Sequence, residues 1–311
     1  MTDSSLRANG PRTRWQQIAA RIDAYERLIR LDKPIGTLLL LWPTLGALWL
    51  ASFGSPSWLV VIIFVLGTLL MRSAGCALND YVDREFDAHV QRTADRPLPR
   101  GEIAPWEAIA VAAVLAFCAF LLILPLNWVT IVLSLPALAI TIAYPYFKRF
   151  FALPQAFLGI AFSFGIPMAF AAIYREVPPL GWLLFVLNLF WVMAYDTEYA
   201  MVDRDDDIKL GLRTSAITFG KFDVLVVMIC YAVYLVGLTW IGHERQMGPI
   251  FFVGVLVASL IALWHYGLIR DRDRTRCFRA FLGNHWFGFA IFAGIFGDYV
   301  IAMHRYPWWP R

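Results

Sequence analysis

Charge is what this 311-residue chain has least of. Only 16% of its residues are Asp, Glu, Lys or Arg, against 59% apolar, with a mean hydropathy of +0.60. Soluble domains carry about 25% charged residues. A soluble core cannot absorb so much apolar surface, and so few charges cannot cover its outside. A soluble globule and a disordered chain are thereby excluded. Cysteine is scarce as well: Cys76, Cys118, Cys230 and Cys277 form no CxxC pair, which argues against a disulfide scaffold and a zinc site. Residues 1–32 are polar and Arg-rich and lack a short apolar run, so no cleavable signal is expected. The lipid-facing surface of a multi-span membrane protein accounts for the apolar excess. The bilayer is the expected surrounding, and neither a nucleic acid nor an obligate protein partner is expected.

What is present is a series of nine apolar segments, near 34–52, 58–79, 105–124, 127–146, 153–173, 179–201, 221–241, 248–269 and 283–303. Each is close to the ~20 residues a helix needs to cross hydrocarbon. The expected fold is all-α, about nine transmembrane helices around a central cavity. Residues 33–305 form one such domain, between a cytoplasmic segment at 1–32 and a short tail at 306–311. Apolar residues at helical spacing in Trp15–Arg30 predict an amphipathic helix on the membrane surface. Of the 27 Lys and Arg, all but Arg175, Arg245, Arg305 and Arg311 fall on one side of this arrangement. The bias predicts a cytoplasmic N-terminus and an odd number of spans. The acids share it: only Glu176, Glu244 and Asp298 lie on the other side. Nearly all the polar chemistry therefore sits at the cytoplasmic face, and the short, partly acidic N-terminus points to a bacterial inner membrane.

Two acidic motifs end the second and sixth segments. Val-Asp-Arg-x-x-Asp occurs at 82–87 and again at 202–207, so Asp83 and Asp203, and Asp87 and Asp207, share an offset of 120 residues. Four spans lie between them, an even number that returns both motifs to one membrane face. A parallel duplication would bring them together across a central cavity. At ~100° per residue, Asn79, Asp83 and Asp87 fall within about 80° of arc, with Arg72 on the same face roughly 10 Å deeper. Asp196, Tyr199, Asp203 and Asp207 likewise share a face, while Glu198 points elsewhere. This reading requires the helix to continue through each motif.

Acids at membrane depth face a cavity or a partner. Two converging carboxylate faces would repel each other unless cations sat between them. Oxygen donors from Asp and Asn suit Mg²⁺, which binds through one or two carboxylates, waters and substrate phosphates. The implied partner is a phosphate or diphosphate ester. Arg92 and Arg96 after the first motif, Lys148 after the fourth span, and Lys209 and Arg213 after the second motif fit its oxygens. Arg100 and the 270–279 cluster read instead as ordinary positive-inside topology. Arg72 suits either a counter-ion to Asp83 or a grip on an anionic group of a second substrate. A buried diphosphate site with a lipid-facing wall suggests a prenyl diphosphate, whose allylic cation gains from aromatic faces and exclusion of water.

Asn79-Asp80-x-x-Asp83-x-x-x-Asp87 and Asp203-x-x-x-Asp207 resemble the paired motifs of the UbiA-type intramembrane prenyltransferases. The blocks at 195–220, 30–44 and 153–170 resemble the members of that superfamily that act on 4-hydroxybenzoate. The resemblance implies a nine-helix fold and Mg²⁺-dependent transfer of a polyprenyl group to 4-hydroxybenzoate, a step of ubiquinone biosynthesis. Asn79, Asp83, Asp87, Asp203 and Asp207 would hold Mg²⁺-diphosphate, with Asp83 and Asp203 essential to catalysis. Arg92, Arg96, Tyr144 and Lys148 would hold the diphosphate. Arg72 would pair with the benzoate carboxylate and so take part in catalysis, and Asp196 and Tyr199 would shape the acceptor pocket. Other acceptors (a naphthoate, a haem, a chlorophyllide) and a cation-coupled transporter stay open. A CDP-alcohol phosphotransferase does not, because its pattern wants Gly where Arg84 follows Asp83.

Overall fold

The computed structural model describes residues 13–90, 92–147 and 149–305, with the backbone alone at 303–305. The described residues form twelve α-helices and no strand. In chain order these are α1 (Arg14–Leu28), α2 (Ile35–Ala51), α3 (Trp58–Asp87), α4 (Pro105–Ile123), α5 (Trp128–Phe147), α6 (Pro154–Ser163), α7 (Gly165–Tyr174), α8 (Pro179–Lys209), α9 (Ser215–Phe219), α10 (Asp223–Glu244), α11 (Pro249–Ile269) and α12 (Arg274–Arg305). Eight stretches are long and apolar enough to cross a membrane, α6 with α7 and α9 with α10 each counting once. The first expected span is the 17-residue α2, shorter than those eight. The protein is a multi-pass membrane protein.

The apolar excess goes to the outside. In α5 only Thr130 and Pro145 are buried, and Val132, Leu135, Leu256, Leu260 and Leu263 are exposed on α5 and α11. Exposed tryptophans mark the helix ends: Trp58, Trp128 and Trp182 begin α3, α5 and α8, and Trp240 lies near the end of α10. Alternating helix directions put these four on one side, as the aromatic belt of a membrane protein requires.

The sequence explains the interruptions. Pro167 has no N–H and its ring crowds the carbonyl four residues earlier, which is that of Ser163. There α6 ends, and α7 begins at Gly165. The Ser163 hydroxyl at this break accepts from Asn188 Nδ2 of α8 at 2.8 Å. Between α4 and α5 a four-residue turn is held by Asn127. Its Nδ2 donates to the Ala171 carbonyl at 2.7 Å, and its Oδ1 accepts from the Thr130 backbone at 3.2 Å.

The terminal helix α1 divides the stripe expected of it. Thr13 and Gln16 close its first turn with a capping box. Ala24 and Leu28 face inward with Ala77, Ile103 and Ala108, while Trp15, Ile18 and Ile22 face outward. Tyr25 Oη donates to Glu107 at 2.7 Å, and Arg21 and Arg27 pair with Glu107 and Glu102. The helix is bolted to the start of α4 and presents a second apolar face outward.

The bundle closes around α8, which touches α6, α10 and α12, while α2 lies against α12 and α7. The tightest approach joins α11 to α12. A Cβ on Gly254 would come 2.6 Å from the Ala290 carbonyl and 2.8 Å from Gly294 Cα. Gly254 with Ala258, and Ala290 with Gly294, are small residues four apart, a spacing that lets backbones meet. Because backbone blocks the space, Gly254→Val is expected to lower the stability of detergent-solubilised protein by about 1–3 kcal/mol, read as a fall in melting temperature. Gly267→Ala on the same helix, whose Cβ would meet nothing within 4 Å, serves as the neutral control.

Candidate functional site

Both acidic motifs continue their helices. At ~1.5 Å per residue the 30 residues of α3 and 31 of α8 are about 45 Å long, beyond the ~30 Å of hydrocarbon. The last turns of each carry the acids past the apolar stretch while keeping them on the faces the helical spacing predicts.

The first motif is built around a residue off that face. Asp80 is fully buried. Its Oδ1 accepts from Arg30 Nη2 at 2.6 Å and from Arg96 Nη1 at 3.0 Å, and Arg96 also pairs with Asp87. The loop after α3 turns back through Thr93, whose hydroxyl donates to the Asp87 carbonyl at 2.8 Å. Arg30 adopts the left-handed backbone region, with φ 57°, which is uncommon for a residue with a Cβ. Arg272, also at φ 57°, does the same opposite Asp223, donating to it from Nη2 at 2.6 Å. In both turns an ion pair with a fully buried aspartate accompanies the unusual backbone.

Arg92 joins the two motifs. Its Nε lies 3.1 Å from both Asp203 oxygens and its Nη2 donates to Oδ2 at 2.5 Å, a two-pronged grip across 111 residues of chain. The guanidinium lies over the Tyr199 ring, 4.4 Å from its centre. Burial works against this charge, but Tyr199 and the Asp203 carboxylate together outweigh it and hold Arg92 above the ordinary arginine pKa. On α5, Tyr144 Oη donates to Asn79 Oδ1 at 3.4 Å and stands in the field of Arg72, Asp83 and Asp196. The loop after α3 thus reaches the end of α8, and the end of α5 reaches α3 at Asn79. Asp203 and Asp207 are buried, and Asp196 and Tyr199 half-buried.

Arg72 is set deeper. Gly36 makes room for it: a Cβ there would come 2.4 Å from Arg72 Nη2. Its Nη1 contacts the Cys76 sulfur, and its Nε is buried without a hydrogen-bond partner. Among the described residues no carboxylate pairs with it, Asp83 included. Among them, too, no three His, Cys, Asp or Glu side chains gather closely enough to ligate one ion. Lys148 lies outside the described residues. Two cations expected near the phosphate lie elsewhere: exposed Lys209 pairs with Asp206 at 3.6 Å, and Arg213 donates to the Phe150 carbonyl at 2.9 Å.

The helical wheel picks out the Asn79, Asp83 and Asp87 face and passes over Asp80 and Arg30. Asp80 sits inside the motif, about 100° from Asn79, and its partner comes from before the first span. Asp80→Ala would leave half-buried Arg30 without an anion and Arg96 with Asp87 alone. A loss of about 3–5 kcal/mol is expected, measured by thermal unfolding in detergent. Removing the exposed Asp95, paired with Arg100 at 3.7 Å, is expected to change stability by about 1 kcal/mol or less.

The match to the UbiA prenyltransferase family spans residues 40–292. A 4-hydroxybenzoate octaprenyltransferase of Burkholderia vietnamiensis is 62% identical over 283 residues, covering 91% of this chain and 98% of that protein. Among solved structures, the apo form of a UbiA homologue from Aeropyrum pernix K1 superposes with a TM-score of 0.71 at 25% identity, over 85% of this chain and 97% of that one. A UbiA homologue from Archaeoglobus fulgidus bound to GPP and Mg²⁺ shares the fold at TM-score 0.64 and 18% identity, over 86% and 99% of the two chains. With its paired acidic motifs on two long helices joined through one arginine, the chain belongs to the UbiA prenyltransferase family.

Proposed function

We propose that this protein transfers a polyprenyl group from polyprenyl diphosphate to the ring carbon ortho to the hydroxyl of 4-hydroxybenzoate. The product is 3-polyprenyl-4-hydroxybenzoate, for ubiquinone biosynthesis. The observation that carries the reading is the two-pronged grip of Arg92, in the loop after the first motif, on Asp203 of the second, in a chain 62% identical to a protein named for this reaction. Residues 33–305 would be the catalytic domain, preceded by a cytoplasmic segment at 1–32 and followed by a tail at 306–311. The site would open to the cytoplasmic side of a bacterial inner membrane, where the lysine and arginine bias puts it.

Magnesium fits the donor set. Asn79, Asp83, Asp87, Asp203 and Asp207 offer oxygen alone, and Mg²⁺ needs only one or two carboxylates once phosphates and water complete its shell. When bound, the ion supplies positive charge to the departing diphosphate.

The chain's own residues do the rest. Arg92 and Arg96, which here hold Asp203 and Asp87, would hold diphosphate oxygens, and the carboxylates they release would hold the metal. Tyr144 and Lys148 complete the diphosphate grip. Arg72 is a half-buried cation with a buried, unused Nε–H, the complement of the benzoate carboxylate, and Asp196 and Tyr199 border the acceptor. The allylic carbon–oxygen bond breaks and the ring carbon activated by the phenol forms the new bond. Loss of the ring proton restores aromaticity.

Purified protein in lipid, given octaprenyl diphosphate and 4-hydroxybenzoate, is expected to yield the C-prenylated acid only with Mg²⁺. Well-folded Asp83→Asn and Asp203→Asn are expected to give no turnover; near-normal rates would remove the metal assignment. Arg72→Ala is expected to raise the KM for 4-hydroxybenzoate roughly 10- to 100-fold, the loss of one charged hydrogen bond. The KM for the diphosphate should stay put. Prenylation of a naphthoate in place of 4-hydroxybenzoate would overturn the acceptor.

A further inference from the structure

A second polar cluster lies apart from the acid–arginine site. Glu198 on α8, Tyr231 on α10, His265 on α11 and Asn284 on α12 are all fully buried. Tyr231 Oη lies 3.0 Å from Glu198 Oε1, 2.9 Å from His265 Nδ1 and 2.8 Å from Asn284 Oδ1. Asn284 Nδ2 donates to Glu198 Oε2 at 2.8 Å and to the Ala280 carbonyl at 3.1 Å. Trp191 Nε1 donates to Asn284 Oδ1 at 2.9 Å.

These contacts decide where the protons are. An indole N–H only donates and a backbone carbonyl only accepts, so Trp191 and Ala280 fix the Asn284 amide with Oδ1 as an acceptor. The Tyr231 proton therefore goes to Asn284. Its oxygen then has lone pairs and no second proton for Glu198 or His265, and both must donate to it. Glu198 carries a proton on Oε1 and His265 carries one on Nδ1. An ionised Glu198 would set two oxygens without a proton 3.0 Å apart in a sealed interior. A doubly protonated His265 would offset that charge, but its Nε2 is buried without a partner. It packs over Gly283, where even a Cβ would come within 2.6 Å of it. Among the described residues no Lys or Arg pairs with Glu198. Cys230 and Cys277 are the other titratable groups facing the cluster.

We propose that Glu198 is a neutral carboxylic acid within a four-helix hydrogen-bond network centred on Tyr231, and that this network sets the rotation of α8 and with it the aim of Asp203 and Asp207. Five and nine residues before those acids, Glu198 is turned from them by about 140° and 180°. The network grips the back of the helix whose front carries the second motif, and α8 runs unbroken between the two. Glu198 is a positioning residue. That role rests on the prenyl-transfer reading; its proton does not.

The test compares wild type with Glu198→Gln in lipid by infrared spectroscopy and by prenyl transfer. Wild type at neutral pH is expected to show the C=O stretch of a protonated carboxylic acid, absent from Glu198→Gln. Because a neutral amide replaces a neutral acid, Glu198→Gln is expected to keep both kcat and KM. Glu198→Ala is expected to lose on the order of 100-fold in kcat, the scale of a catalytic group misplaced by 1 Å, with the KM for 4-hydroxybenzoate unmoved. Should Glu198→Ala fail to fold, Tyr231→Phe replaces it with the same expectation. No acid band in the wild-type spectrum overturns the proton. A folded Glu198→Gln that falls as far as Glu198→Ala, or a folded Glu198→Ala or Tyr231→Phe with wild-type kcat, overturns the positioning role. If wild type itself transfers no prenyl group, the functional reading fails and the infrared result still stands.

Discussion

A carboxylate taken out of water must find a cation, and the polar end of this bundle is organised by that demand. Asp80 has no exposed surface and is shared by Arg30 and Arg96. Asp203 is gripped by Arg92, and Asp223 by Arg272 and Arg204. Arg204 comes from α8 itself, but the other four come from turns and loops, so meeting these charges draws the segment before α2, the loop after α3 and the turn before α12 onto the ends of α3, α8 and α10. A buried pair is a weak source of net stability, whereas a stranded member is strongly destabilising. The network therefore specifies one arrangement of loops more than it adds to the stability of the bundle.

The same constraint gives the site its means of exchange. One carboxylate from each motif, Asp87 and Asp203, is balanced here by an arginine, and each would be balanced equally by a metal–diphosphate complex carrying its own opposite charges. Substrate entry then trades partners among charges already desolvated. Arg72 stands outside this trade, deeper on α3 and against the apolar wall provided by Gly36.

Much of this was legible in the residues. The apolar segments, the 120-residue echo and the shared helical faces of the acids depend on local periodicity, and the helices do continue through both motifs. Pro167 announces the break between α6 and α7 in the same local way. What periodicity does not carry is which distant segment supplies a partner. Asp80 was passed over because its wheel position lies off the motif face, and Arg30 because it looked like the end of a surface helix. Arg92 shows its role only when Asp203 is beside it. The outward stripe expected of α1 was divided, since Tyr25 and Leu28 turn inward to α3 and α4 while Ile18 and Ile22 do not. The helical spacing turns Glu198 away from Asp203 and Asp207, yet nothing local reveals that three other helices meet it there.

The chain distances spanned by the ion pairs also set an order for assembly during synthesis. Arg30, Asp80, Asp87 and Arg96 all lie within the first third of the chain. That acidic helix end can be neutralised before the fourth helix is complete. Asp203 reaches back 111 residues to Arg92. When the second motif emerges, its counter-ion is already waiting in the finished half. The earlier half of the protein thus carries the counter-ion on which the acid of the later half closes.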